Sequence, residues 1–297
     1  MDSLNGNSTN HQIIGGDCLD SLSLLETNID LTFLDPPFNQ QKEYASCKDD
    51  LPEKQYWQMI REVCGQIFEK TTDGGAVYFM QREKNAEQVL RVLRDAGWTF
   101  QNLIIWKKMT SAVPAQMRYG KAFQIIAFAT KGNRPRVFNR LRIEPPLLKN
   151  HKYERENGCF VTDVWDDIRE LTSGYFAGDE AIKKDGKRFH KQQSPLALLL
   201  RILLTSSKRG DTVLDPFAGT GTTAIVAKQL KRNSVSIEID GDNAKSIENR
   251  LLSMRRADLI DRFFERYNHT ENLAEIWGRN FSILPADSVE TANACRI

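Results

Sequence analysis

The sequence predicts an α/β fold in which helices cover both faces of an open sheet. Short apolar runs alternate with stretches of helical spacing along most of the chain. Between residues 212 and 239 a glycine-rich turn joins a strand to a helix and a further strand, a complete βαβ unit. The 297 residues suit one large domain or two small ones. With 40% hydrophobic and 27% charged residues, the chain can fill a sizeable core.

The elements follow in order. After a polar N-terminal tail, Asn28 to Leu34 reads as a buried strand. It ends at Asp35-Pro36-Pro37-Phe38, where two prolines remove ladder donors and forbid a helix. Residues 39–52 are polar, and read either as a loop placed to close over a site or as a solvated connection. Trp57, Ile60, Cys64, Ile67 and Phe68 fall on one helical face, up to about Lys70. Gly74-Gly75 is expected to break the chain before a strand at Ala76–Met80. Ala86, Val89, Leu90 and Leu93 mark a helix closed by Gly97. Strands are expected at Thr99–Trp106 and Ala122–Thr130. Helical spacing returns at Pro195–Leu204, then a strand at Thr212–Leu214, a helix to about Lys231, a strand at Ser234–Ile239 and a helix at about Asp242–Met254. These shifts divide the chain into 11–130, an insert at 131–189, 190–256, and a weakly patterned extension at 257–297. A packing helix over the sheet edge is the plainest expectation for that extension.

Several classes are excluded. No apolar run approaches the ~18 residues of a membrane span, and MDSLNGNSTNHQ lacks the basic and apolar regions of a secretion signal. The five cysteines are scattered without a C-x-x-C pair, so neither a disulfide framework nor a bound metal is expected, and the thiols read as reduced and cytosolic. A formal charge of +2, from 41 Lys plus Arg against 39 Asp plus Glu, excludes no partner.

The turn Asp215-Pro216-Phe217-Ala218-Gly219-Thr220-Gly221-Thr222-Thr223 lies where a strand feeds a helix. Gly219 and Gly221 let the backbone adopt positive φ and approach a ligand closely. Asp215 stands at the strand's carboxyl end, where open α/β sheets bind ligands. Glu238 closes the next strand, near the spacing of about 20 residues at which an acid meets a ribose. Together these residues describe a nucleoside site; the plain alternative is a tight turn beneath a buried strand. Ala224 stands at the third glycine of a dinucleotide fingerprint, an accepted variant, but Asp215 would repel a pyrophosphate. No lysine or arginine lies in the turn, so it is not a phosphate-binding loop. S-adenosylmethionine, with its sulfonium and α-amino group, suits the acid better.

In Asp35-Pro36-Pro37-Phe38 the carboxylate and the Pro36 carbonyl are acceptors held in place by fixed φ angles, and Phe38 offers a flat face. Two acceptors beside an aromatic ring suit the exocyclic amine of a heteroaromatic base. A proline-rich strand end with a buried Phe is the alternative. Lys131, Arg134, Arg136, Arg140 and Arg142 form a basic run that reads either as a solvated face or as a track for phosphates. Trp165 and Tyr175 read as core.

The pair LDPPFN and DPFAGTGTT, in that order, resembles the amino-group DNA methyltransferases of the permuted β group. Gly16-Asp17-Cys18-Leu19 resembles their segment that contacts the cofactor adenine, and Val164-Trp165-Asp166 resembles a short element of the same group. His190 to Pro195 resembles an H-x-x-Q-K-P pattern that packs on the methionine part, with Gln193 retained and Ser194 standing where lysine is usual. The match covers about residues 12–254.

The resemblance implies a Rossmann-like, S-adenosylmethionine-dependent methyltransferase sheet with a target-recognition insert at 131–189. It implies catalysis by Asp35, Pro36, Pro37 and Phe38 on a flipped-out base of double-stranded DNA. Cofactor contacts would come from Asp17, Cys18, Asp35, Gln193, Ser194, the turn from Asp215 to Thr223, Glu238 and Ile239. Asp in the first position is usual for adenine-N6 enzymes and Ser for cytosine-N4 enzymes, so adenine is expected, with cytosine-N4 the alternative. A restriction-modification setting in a prokaryotic cytosol or nucleoid, a cognate endonuclease and a homodimer are partners and places the group allows. An inactive DNA-binding homologue, an RNA or protein methyltransferase and a dehydrogenase are the competing readings. A dehydrogenase leaves Asp-Pro-Pro-Phe without a role.

Overall fold

A computed structural model of the chain describes residues 9–39, 50–109, 116–117, 119–144, 157–171, 178–184, 187–188 and 193–278. Residues 40–49 of the loop expected at 39–52, His190 to Gln192 and Tyr175 lie outside the described residues.

Eight strands, numbered along the chain, form one central sheet. Their order is β1 (His11–Gly15), β12 (Asn233–Glu238), β11 (Thr212–Asp215), β2 (Ile29–Leu34), β3 (Thr71–Arg82), β5 (Phe123–Thr130), β4 (Thr99–Lys107) and β8 (Val164–Trp165). Only β5 runs against the rest, so seven strands end at one edge. Small pairs form from β6 (Arg142–Ile143) with β7 (Cys159–Phe160), and from β9 (Lys183–Lys184) with β10 (Lys187–Arg188).

The near-continuous apolar sequence of the central strands follows from helices on both faces. One face carries α1 (Cys18–Ser23), α2 (Glu53–Lys70) and α3 (Ala86–Asp95). The stripe Tyr56, Ile60, Val63, Cys64 and Ile67 of α2 recurs at three and four residues, and all five are buried. The other face carries α4 (Leu196–Ser206), α5 (Thr222–Gln229) and the inner side of α6 (Gly241–Leu252). Helix α4 is buried from Leu196 to Leu204 without a break, so something must cover its outer side.

Residues 255–278 supply that cover. Ile260, Tyr267, Leu273 and Trp277, the last from α7 (Leu273–Trp277), join the same core as α4. Arg201 of α4 is fully enclosed; it forms a two-pronged pair with Asp167 at 2.8 and 2.5 Å, and donates to Tyr267 Oη. The described part of the extension, to residue 278, is therefore a further layer over α4, not a cap on the sheet edge.

Two local expectations are corrected. Residues before Asn28 are not merely a polar tail, because β1 and α1 occupy them and Asp17 caps α1. The short HQIIG run was obscured by its polar surroundings. Gly74-Gly75 does not break the chain; it lies inside the twelve-residue β3. Gly74 at φ +72° lets the strand bulge toward Lys131 and Arg136, whose backbones it bonds at 2.7 Å, and a Cβ on Gly75 would meet Thr71 at 2.4 Å. Among the described residues Cys18, Cys64 and Cys159 form no disulfide, and no helix is long and apolar enough to cross a membrane.

A candidate methyl-transfer crevice

Strand β11 leads on to its neighbour β12, whereas β2 leads to β3 on the other side. Such a reversal opens a crevice above the strands' carboxyl ends. The two strands pair in parallel, with Val213 opposite Leu31 and Leu214 opposite Thr32. Asp35 and Asp215 therefore come to the same crevice from halves of the chain that are far apart in sequence.

Asp35 is half-buried, and Ser194 Oγ donates to its Oδ2 at 3.2 Å. Burial, and then the neighbouring Asp215, push its carboxyl up to about 8, against the pull of the Ser194 bond and of Lys108. The tetrapeptide is braced from below: Tyr56 Oη donates to the Pro37 carbonyl at 2.8 Å and accepts from Gln81 Nε2 at 2.9 Å. Among the described residues no donor meets the Pro36 carbonyl. Phe38 is only 6% exposed.

Opposite lies the glycine turn. Asp215 is buried and accepts from Thr223 Oγ1 at 2.5 Å and from Phe217 N at 3.2 Å. Burial raises its carboxyl to about 7, although both hydrogen bonds lower it. Gly219 and Gly221 have φ of +53° and +77°. Glu238 accepts from Gly219 N at 2.6 Å and Asp240 N at 2.9 Å, tying the turn to the end of β12; burial raises its carboxyl too. Thr220, Thr222 and Thr223 are buried, as is Pro216, whereas Ile239 is half exposed beside Glu238.

Pairing of β1 with β12 brings the N-terminal segment to the same place: Gly16 N donates to the Glu238 carbonyl at 3.0 Å. Asp17 spends one oxygen, Oδ1, on the amides of Leu19 and Asp20, and Cys18 is buried behind it. Gln193 does not face the crevice with its amide; it bridges Ile182 N and the Glu180 carbonyl and so fixes the approach to Ser194.

S-adenosylmethionine fits these residues. Among the described residues the half-buried Asp35 and the buried Asp215 accept hydrogen bonds from neutral groups, so a cationic ligand between them relieves both burial and mutual repulsion. Glu238 stands where ribose hydroxyls can donate. Gly221→Ala is expected to be damaging, because its Cβ would lie 2.7 Å from Ile247 Cγ1 and Cγ2 at a φ that alanine avoids. The expected cost is about 1–3 kcal/mol in a urea titration. Weaker S-adenosylmethionine binding should accompany it in calorimetry.

The model of the DNA methylase family that groups N6- and N4-amino methyltransferases matches residues 29–249. The chain belongs to that family. Among relatives, the type II methyltransferase M.HpaI of Haemophilus parainfluenzae is 29% identical over 86% of this chain and 79% of its own. The DNA adenine methyltransferase YhdJ of Escherichia coli strain K12 is 29% identical over 84% of each chain. The fold is shared with M1.HpyAVI solved as a complex with SAM, at TM-score 0.55 and 22% identity over 81% of this chain and 98% of that one. It is shared also with the cytosine-N4-specific PvuII DNA methyltransferase, at TM-score 0.60 and 16% identity over 92% and 94%.

The basic run of this methylase lies elsewhere. Lys131 follows β5, the one reversed strand, and so emerges at the amino edge, about 20 Å from Asp35 across a six-residue strand. Its Nζ donates to the carbonyls of Phe68 and Thr71. Arg136 pairs with Asp30 at 2.9 Å and Asp211 at 2.7 Å. Arg140 and Arg142 stand over the Phe160 ring, each at 4.0 Å, and Arg134 is exposed at the same edge. Arg136→Ala should thus cost about 1–3 kcal/mol of stability. It should leave the salt dependence of DNA binding unchanged, where loss of a phosphate contact would lower the slope by about one. Denaturant titration and binding across a salt series read the two effects.

Sequence reasoning missed the braces Tyr56 and Gln81. Gln81 carried a signal: a lone amide closing the apolar run Ala76–Met80 is fully buried, and a buried amide needs a polar partner.

Proposed function

We propose that this methylase transfers a methyl group to the N6 amine of adenine in a flipped-out base of double-stranded DNA. The observation that carries the reading is the juxtaposition of Asp35, held through Oδ2 by Ser194, with the glycine turn across the crevice. S-adenosylmethionine, when bound, supplies the methyl group from its sulfonium. The amine's lone pair is delocalised into the ring and is a poor nucleophile. Asp35 Oδ1 and the Pro36 carbonyl accept hydrogen bonds from the amine's two N–H groups, draw the nitrogen toward tetrahedral geometry and aim its lone pair at the crevice; as the nitrogen takes the methyl group, one of its protons passes to the Asp35 carboxylate. Catalysis rests on positioning and preorganised electrostatics. Extruding the base costs a few kcal/mol, which stacking on Phe38 offsets once the ring is uncovered.

Adenine is supported by the acid at the first position of the tetrapeptide and by the name of the relative YhdJ. A restriction-modification role is supported by the type II relative M.HpaI. Target readout falls to the insert at 131–189, of which residues 166–171 follow β8 at the edge of Asp35, because β8 runs parallel to β4. A cytosolic or nucleoid location, a cognate endonuclease and a homodimer complete the proposal on family resemblance.

The test is methyl transfer from labelled S-adenosylmethionine to unmethylated genomic DNA, followed by nucleoside analysis. N6-methyladenine is the expected product. N4-methylcytosine would keep the chemistry and correct the base, and unlabelled DNA would overturn the reading.

A further inference from the structure

A second cavity opens at the amino edge of the sheet. It encloses about 510 Å³ and is lined in part by Ser207, Lys208 and Arg209, which lead from α4 to the amino end of β11. Asp215 closes the carboxyl end of that same strand, and neither the glycine turn nor Asp35–Phe38 lines the cavity. Ligand cavities run from about 300 to 1,000 Å³, so the space suits a small molecule.

Its cations are held ready. Arg140 and Arg142, which also line it, each set a guanidinium 4.0 Å from the centre of the Phe160 ring, which orients the planar forks that grip phosphate. Arg142 is partly spent, since its Nη1 donates to the Asn157 carbonyl at 2.7 Å. Among the described residues Arg140, Lys208 and Arg209 form no ion pair. The stem of Arg209 packs against Gly278, where an added Cβ would lie 3.3 Å from its Cγ. A further cation stands behind the wall. Arg232 is fully enclosed and donates to the Ser207 carbonyl at 2.8 Å, to Ser207 Oγ at 3.1 Å and to the Ile276 carbonyl at 2.8 Å. Ser207 and Ile276 both line the cavity. These partners are neutral, and among the described residues no carboxylate pairs with Arg232. A ligand anion would offset a charge that burial makes costly.

The rest of the lining narrows the ligand. Glu271 and Glu275, from before and within α7, share the cavity with the cations, so it is no uniform track for a polyanion. Their carboxylates suit hydroxyl or amino donors. Phe138 stacks on Phe128 with centroids 5.9 Å apart and is still 50% exposed, which offers a flat apolar face. A compound with a phosphate, hydroxyl groups and a planar ring uses all three.

We propose that this cavity binds a single nucleoside phosphate, as a free nucleotide or as the phosphorylated end of a strand. Arg140, Lys208 and Arg209 take the phosphate, Phe138 takes the base, and Glu271 or Glu275 takes the ribose hydroxyls. The site is independent of the role assigned to Asp35.

The experiment is a calorimetric titration of the full chain saturated with S-adenosylmethionine, which keeps adenine rings out of the crevice. AMP, a 5′-phosphorylated tetranucleotide and inorganic phosphate are the probes. The preferred nucleotide probe should bind with a Kd below about 1 mM and about tenfold or more tighter than inorganic phosphate. Arg140→Ala and Arg209→Ala should each weaken it about tenfold with Tm unchanged, whereas Arg134→Ala, at the same edge, should not weaken it. Phe138→Ala should shrink the margin over inorganic phosphate. A preference for AMP marks a free nucleotide as the ligand and a preference for the tetranucleotide marks a strand end; both support the site. Nucleotide probes that bind no tighter than inorganic phosphate overturn it, as does binding that excess S-adenosylmethionine displaces or that both arginine variants retain in full.

Discussion

Asp35→Ala is expected to lower kcat for methyl transfer by about a thousandfold or more, and to weaken S-adenosylmethionine binding as well, because its carboxyl is one of the two that a cationic ligand would meet. A single preorganised hydrogen-bonding group at a reacting centre is worth about 100–1,000-fold, and here the group is a charged acceptor that also orients the nucleophile. Pro36 retains the second acceptor, which leaves residual binding but no tetrahedral bias on the nitrogen. The same substitution should not weaken the fold, because burial already penalises this carboxylate. A carboxyl raised to about 8 binds its proton more tightly folded than unfolded, so its contribution favours folding at low pH and opposes it as pH rises. Asp35→Asn should accordingly gain stability over wild type as pH increases from the ordinary carboxylate range to about 8, and level off above it. Single-turnover kinetics and urea titrations at several pH values check both halves. A loss of activity accompanied by a loss of stability would contradict the account.

Asp258→Ala should be the most destabilising of the polar substitutions. Asp258 is fully buried, receives Arg250 and Arg255 at 2.7 Å each, and is held at about 2 by them even though burial pushes the other way. Removing it strands Arg250 in the interior, and breaking a buried pair from one side costs about 3–5 kcal/mol. The damage should reach the crevice as well. Arg250 Nη1 donates to the carbonyl of Thr220, between the two glycines of the turn, so the extension steadies the cofactor loop through one guanidinium. Calorimetry should show weakened S-adenosylmethionine binding together with a lowered Tm. Replacing Arg250 and Asp258 together by Met and Leu should recover most of the stability but not the affinity, which separates the pair's packing from its hold on the turn.

The parts legible in the sequence were those with a strong local signature. The apolar run ending in two prolines fixed Leu34 as a strand end, and the positive-φ glycines marked the turn after Asp215. Both motifs meet in one crevice, as their family order implies. The basic run could not be placed, because β5 is antiparallel and carries it to the opposite edge, and strand direction leaves no trace in local periodicity. The extension was hidden by weak patterning of its own. Its signal lay in α4, where LALLLRILL has no polar side and so demands cover on both faces.

Strands β2 and β11 are hydrogen-bonded neighbours, and Thr212 N donates to Asp30 across 182 residues of sequence. On the ribosome that pairing has a delay. At about 5–20 residues per second, β2 emerges roughly 10–35 s before the strand that covers it. Through that interval an apolar strand with a bare row of amides and carbonyls faces the cell, a template for unwanted pairing. The nascent chain is then at its most aggregation-prone, and expression at lower temperature or with a holding chaperone should raise the soluble yield without touching the finished enzyme.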